Sequence, residues 1–395
     1  AMLSLLICTQ LYAFDVGPIE VNGFISAGYY RSFGNNDDHD SNDESTGFHE
    51  AAFNYGYSTG RWFSMGQIIS RDIGESEVNK EDIALDYLLL GANIFNSSSF
   101  DLQFRLGQIK TPYGIMDTSD IPTMRNYPLE GYASRNLYLR SRGGVFDASY
   151  MTGIGDFDFN LGYLRPEIDG ERALDLSDEV YYDAHKPYFN PVFRLKWSSI
   201  DKGIAINYSF MKLQVDHSFI QEVPAFQQHP ERSIIASIYG PGSCLKKLSA
   251  VITFEKFKLI TTIEKAKSKL DGELSITSPA KMLLYEGPVS KDKSIGYSVR
   301  GIYDFTSRLS IGSAYIYNFI DRKTWFMNGY DVEEKLKTLQ LTLDYVVDNN
   351  WSVKGAFSHF DGVTSVVSGY NSGDINSNVM KKKWNLFEIQ ITYSF

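Results

Sequence analysis

The last nine residues, Phe387-Glu388-Ile389-Gln390-Ile391-Thr392-Tyr393-Ser394-Phe395, decide how the whole chain is read. Phe387, Ile389, Ile391, Tyr393 and Phe395 fall on one parity; Glu388, Gln390, Thr392 and Ser394 fall on the other. Successive side chains of a strand point to opposite faces, so this is a strand with one apolar and one polar face. A soluble sandwich contains such strands too. A terminal one that closes on an aromatic residue is much less common.

Working outward, the same split recurs. Phe100, Leu102, Phe104 and Leu106 alternate with Asp101, Gln103 and Arg105. Phe157, Phe159, Leu161 and Tyr163 alternate with Asp156, Asp158 and Asn160, and Leu339, Leu341, Leu343 and Tyr345 with Gln340, Thr342 and Asp344. Aromatic residues gather near the ends of most of these runs, where a girdle would meet lipid headgroups. About sixteen such segments are predicted, beginning near Ile19, Phe48, Arg61, Asp82, Phe100, Gly144, Asp156, Tyr188, Gly203, Lys247, Phe257, Ser294, Arg308, Lys335, Asn350 and Lys383. The connections alternate. Short ones, such as Gly60 and 153–155, are followed by long ones, such as 111–143, 214–246 and 266–293. A two-sheet sandwich has no reason to alternate loop length. A closed membrane barrel does, with short turns at one end and long loops at the other.

Composition agrees. The 395 residues carry a formal net charge of -10, which argues against a nucleic-acid partner because phosphate contacts need a basic face. A mean hydropathy of -0.24, with no uninterrupted apolar run of about 18 residues, excludes membrane-spanning helices. It leaves open a barrel whose outer face uses alternate residues only. No composition break divides the chain, so residues 14–395 are expected to form one domain. The apolar segment Met2–Ala13 ends in a small residue and reads as the remnant of a secretory signal, 1–13, although a basic start is missing. Cleavage there would leave Cys244 as the sole thiol and rule out an internal disulfide.

With these features the chain resembles the bacterial outer-membrane porins. The resemblance rests on the exported start, the alternating strands and the C-terminal aromatic strand. It implies an all-β transmembrane antiparallel barrel of about sixteen strands in the outer membrane of a Gram-negative bacterium. In that superfamily the final strand is read by the barrel-assembly machinery, so Tyr393 and Phe395 would form the assembly signal. The resemblance also implies a homotrimer and a long third outer loop folded into the lumen. Here the third long connection follows the fifth strand and opens Thr111-Pro112-Tyr113-Gly114. The acidic loop tip of enterobacterial general porins has no counterpart in this chain.

If the apolar parity faces lipid, the polar parity lines water. The pore wall is then expected to present Arg194, Lys196, Arg300, Lys354 and Glu388, among other charges of both signs. The constriction is expected from Arg105 and from the loop residues Asp117, Asp120, Arg125, Glu130, Arg135, Arg140 and Arg142. It is mixed and leans basic, so passive diffusion of small hydrophilic solutes with a mild anion preference is expected. Arginines held by carboxylates would instead pin the loop to the wall.

Other patterns lead to weaker expectations. The acidic stretch Asn35–Glu44 lacks the spacing of a calcium loop and reads as a solvated outer loop. Lys381-Lys382-Lys383 would sit at the outer rim, near lipopolysaccharide phosphates or simply in water. The six histidines are scattered, with no nucleophile motif and no zinc spacing, so neither catalysis nor a cofactor is expected. Two alternatives stay open: a barrel acting as a sleeve around a partner such as an electron-transfer or secreted protein, because a filled lumen is polar as well, and, behind it, an outer-membrane enzyme.

Overall fold

A computed structural model describes residues 14–33, 44–72, 80–113, 140–166, 180–185, 188–221, 233–277, 282–324, 331–363 and 383–395. Strands account for nearly all of them. In chain order they are β1 (Phe14–Val16), β2 (Ile19–Phe33), β3 (Glu44–Thr59), β4 (Trp62–Asp72), β5 (Lys80–Asn96), β6 (Phe100–Lys110), β7 (Arg140–Thr152), β8 (Gly155–Pro166) and β9 (Val180–His185). The second half contributes β10 (Asn190–Ser198), β11 (Ile204–Gln221), β12 (Ser233–Phe254), β13 (Phe257–Thr277), β14 (Met282–Asp304), β15 (Leu309–Thr324), β16 (Asp331–Val346), β17 (Trp351–Val363) and β18 (Lys383–Ser394).

All eighteen belong to one antiparallel sheet, and the sheet closes: β18 pairs with β2, with Gln390 opposite Gly28 and Thr392 opposite Ser26. β9 and β10 both pair with β11, one along its outer half and one along its inner half, so together they make a single stave. β1 is a three-residue extension that pairs with β2. The wall is thus a closed barrel of sixteen staves, as the alternation predicts. Closure removes every sheet edge, which is what lets a sheet lie in a bilayer where nothing else could satisfy its backbone groups.

The start of each stave agrees with the sequence reading to within a few residues for most of the ring. The exception is one side. β12, β13 and β14 run 22, 21 and 23 residues, so the expected long connections 214–246 and 266–293 are largely strand. Those stretches contain Pro241 and Pro288, neither of which can donate a backbone hydrogen bond to a ladder. The sheet absorbs both at irregularities: pairing skips from Tyr239↔Asp271 to Gly242↔Lys269, and Pro288 stands beside a shift between Leu270 and Asp271. A bulge tolerates a residue that cannot donate to the ladder, so the ribbon continues beyond the prolines.

Burial is inverted relative to a soluble protein. The apolar parity is exposed, with Leu339 and Leu341 at 57% and Ile391 at 43%. The polar parity is buried, including Glu50, Asn207, Ser209, Gln340, Ser358 and Thr392. At the short-turn end the outer surface carries Trp62, Phe95, Tyr150, Phe254, Tyr303 and Phe305. These form the expected aromatic girdle, with Phe100–Tyr150 and Tyr303–Phe305 in edge contact.

Candidate functional site

The inward face of the barrel is the candidate site, and its chemistry follows from register. Gln103, Asp147, Asn160, Arg194, Ser209, Lys247 and Glu264 are successive cross-strand partners from β6 to β13, so they form one inward-facing belt. Within it, Arg105 reaches Asp147 through two parallel bonds, Nε to Oδ2 at 2.5 Å and Nη2 to Oδ1 at 2.7 Å. Asn160 donates to the same carboxylate. Both side chains of this ion pair keep about a fifth to a quarter of their surface exposed, at 25% and 19%, so the pair faces water in the lumen. A bidentate arginine–carboxylate pair fixes geometry as well as charge.

The pore-wall expectations all land on the inward face. Lys196 pairs with Asp158 at 3.5 Å, and Lys354 with Asp344 at 3.5 Å. Arg300, at 7% exposure, lies opposite Ala314 and Ile260, and Glu388 lies opposite Ala356. Arg194 faces inward beside Ser209 and Asn160. The wall therefore carries both acids and bases, several of them in contact pairs. Lys247 and Glu264, 3.9 Å apart, add a pair that the sequence reading passed over.

Of the expected constriction, Asp117, Asp120, Arg125, Glu130 and Arg135 lie outside the described residues. Arg140 opens β7 opposite Lys110. Arg142 needs a correction. On β7 the inward parity is Ser141, Gly143, Val145 and Asp147, while Arg142 shares the outward parity of Gly144 and Phe146 and is exposed. Its position next to a long loop suggests the lumen, but the period of two puts it on the outside. Arg105 is inward, as expected, and held by Asp147.

The segment after β6 does turn inward over the residues described. Thr111 and Tyr113 are buried, at 4% and 3%, and Thr111 shares a hydrogen bond of 2.7 Å with the inward-facing Ser141. Tyr113 packs in a cluster with Leu89, Ile109, Val145, Met211 and Leu245, and Lys247 Nζ stands 5.5 Å from its ring centroid. Leu245 and Lys247 belong to β12, several staves around the ring from β6, so the chain leaving β6 crosses part of the lumen. The apolar seat it meets was not read from the sequence. Leu88-Leu89-Leu90 and Gly144-Val145-Phe146 are apolar on both parities, and that loss of alternation is the signal.

A closed sixteen-stave barrel with an apolar exterior and a charged interior has the architecture of outer-membrane-type barrels. Comparison with known proteins agrees on the fold. OmpT of Vibrio cholerae, folded in vitro, superposes with a TM-score of 0.56 over 98% of this chain and 100% of its own, at 13% identity. The outer-membrane channel DcaP of Acinetobacter baumannii gives 0.53 over 98% and 100%, at 10% identity. An anion-selective porin from Comamonas acidovorans gives 0.52 over 95% and 99%, at 12% identity. No family model matches the sequence, and no curated protein matches it. The chain has the porin fold.

Proposed function

We propose that this chain is a diffusion channel of a Gram-negative outer membrane, passing small hydrophilic solutes through a lumen narrowed by the segment that follows β6. The inversion of burial carries this reading: apolar side chains outside, paired charges and amides inside, repeated from stave to stave. Paired acids, bases and amides along the inner wall keep it polar, which favours hydrophilic solutes and disfavours apolar ones. The narrowing is supported by Thr111 and Tyr113, which lie buried among inward-facing residues.

A mild anion preference remains part of the proposal, carried by Arg125 and Arg135 of the loop with Arg194 and Arg300 of the wall. Arg105 contributes little to it, because Asp147 holds its guanidinium. Arg142 contributes nothing, because it is outside. Passive passage, not catalysis, is the activity. Trimeric assembly is in keeping with the trimer form of the Vibrio cholerae protein, and Tyr393 and Phe395 would present the final strand to the assembly machinery.

Planar-bilayer recording of the detergent-purified chain tests this. Stable conductance in steps of three is expected, with a weak reversal potential of anion sign under a salt gradient. Heat-modifiable protein without conductance would overturn the channel. A potential of cation sign would overturn the anion preference alone.

A further inference from the structure

Asp86 interrupts an apolar run, Ile83-Ala84-Leu85-Asp86-Tyr87-Leu88-Leu89-Leu90, and its side chain is only 1% exposed. A carboxylate at that depth is costly unless a cation meets it. Lys110 does so: its Nζ stands 3.1 Å from Asp86 Oδ2, with the lysine side chain 15% exposed. Two local features bring them together. Asp86 is the extra residue of a β-bulge, since Gln67 faces Tyr87 while Ile68 faces Leu85. Lys110 is the last residue of β6, and β6 parts from its two neighbours at different heights. Its ladder with β7 runs to Lys110 opposite Arg140, whereas its ladder with β5 ends at Gln108 opposite Leu88. Beyond that point side chains replace the ladder on the β5 side. Gln108 Nε2 donates to the carbonyl oxygens of Leu85 at 2.6 Å and Asp86 at 3.2 Å, and Lys110 reaches the Asp86 carboxylate.

These bonds fall at the root of the segment that enters the lumen. Directly after Lys110, the Tyr113 amide donates to the Thr111 carbonyl at 2.8 Å and closes a three-residue turn around Pro112. Thr111 then meets Ser141, and Tyr113 enters its apolar seat. Lys110 Nζ also lies 5.0 Å from the centroid of the Tyr87 ring, which packs against that same seat. Two groups of β5, one carboxylate and one ring, thus fix the ammonium where the chain swings inward. We propose that Asp86 is a positioning residue that acts through Lys110: the pair is a latch that sets how the segment leaves β6 and keeps it across the lumen. The proposal rests on the reading of that segment as the narrowing, and it gives the wall of β5 a share in holding it. Such a latch governs how often the segment lets go, and not the width of the path while it is seated.

The test is single-channel recording of the full chain, reading the rate of current transitions, with heat-modifiable migration in urea as the control for folding. Asp86→Asn keeps the shape and removes the charge, and should raise the transition rate by about tenfold or more. Lys110→Met should act in the same direction. With both changes the rate should rise no further than with the stronger single one, because a single contact is lost. Lys110→Arg keeps the cation and should restore the quiet current. A wild-type transition rate in Asp86→Asn would overturn the latch, whether or not the urea midpoint moves. Wild type supplies a check that needs no variant to fold. A pair this buried is screened little, so the transition rate should hold between about 0.1 M and about 1 M salt. A marked rise over that range would show that exposed charges hold the segment, and would overturn the proposal. Tyr113→Ala separates the two readings. If that channel is as quiet as wild type, the narrowing fails and the latch with it; if it is noisy while Asp86→Asn is quiet, only the latch falls.

Discussion

Phe395 closes the barrel over Gly23. Their backbones exchange two hydrogen bonds of 3.0 Å, and a Cβ built on Gly23 would stand 2.5 Å from Phe395 Cζ and 2.4 Å from the carbonyl oxygen of Ala52. The terminal ring therefore occupies the space that a side chain on β2 would need. Phe395 in turn continues a row formed by Trp351 and Tyr393, with ring centroids 4.9 Å and then 6.4 Å apart. β18 is fastened to β2 by Phe395 as well as by its ladder.

Replacing Gly23 by alanine should consequently weaken closure. The added methyl group has backbone on one side and the Phe395 ring on the other, so the expected loss is about 1–3 kcal/mol, typical of overpacking. A urea titration of heat-modifiable migration would measure it. Phe395→Ala removes one of the two clashing partners. The double variant should then lose less than the sum of the single losses, which a double-mutant cycle can detect. Strict additivity would mean that the ring does not occupy the space beside Gly23.

The Arg105–Asp147 pair makes opposite predictions for its two members. Asp147→Asn leaves the guanidinium in the lumen without its countercharge, so the reversal potential should move toward anion selectivity. Arg105→Gln leaves the carboxylate and should move it toward cations. Each single change also breaks a bidentate, partly buried contact, at an expected cost of roughly 1–3 kcal/mol in unfolding free energy. Both shifts should shrink at high salt, because the lumen is wet and the charges are screened. Shifts of the same sign in both variants would show that neither group feels the permeating ion.

Alternation made the barrel legible because one physical demand, apolar outside and polar inside, is imposed on almost every stave. Leu339, Gln340, Leu341 and Thr342 encode it residue by residue. The demand relaxes where the interior is covered. Val145, Val192, Met211 and Leu245 sit on the inward parity and are buried in an apolar seat, so their strands lose their period in the sequence. Arg142 was misplaced for a related reason: its charge suggests water, and both the lumen and the headgroup region supply a polar setting. Only the register against Gln108 and Arg165 tells the two apart. β12 and β14 begin before the expected Lys247 and Ser294 and β13 runs on to Thr277, and the sheet accommodates Pro241 and Pro288 there at irregular pairings.

The turn between β10 and β11 provides a pH-dependent element outside the membrane span. The Asp201 carboxylate is held below its usual value of 3.8, first by the Ser199 hydroxyl at 2.5 Å and then by the Gly203 amide at 3.0 Å. A group whose folded-state pKa is depressed contributes above its unfolded value and loses that contribution as pH falls through the folded one. Protection of the Gly203 amide, corrected for intrinsic exchange, should thus hold near pH 5 and decline below about pH 3.8. In Asp201→Ala the decline should be absent and protection low throughout. Unchanged protection down to about pH 2 would show that the carboxylate does not hold the turn.

Tyr113 offers the most direct test of the narrowed lumen. Its ring lies among Leu89, Ile109, Val145, Met211 and Leu245, with the Lys247 ammonium 5.5 Å from its centroid. If this contact holds the start of the long connection across the lumen, Tyr113→Ala should release it and raise single-channel conductance, with more current noise as the segment moves. The buried ring accounts for roughly 2–4 kcal/mol of seating, enough to shift the segment from almost always seated to often open. Tyr113→Phe keeps the ring and the apolar seat, so its conductance should stay close to wild type. Lys247→Met removes the cation above the ring and keeps the packing, which should weaken seating only slightly and shift selectivity toward cations through the remaining Glu264. A Tyr113→Ala channel with wild-type conductance and noise would place the narrowest point elsewhere in the lumen.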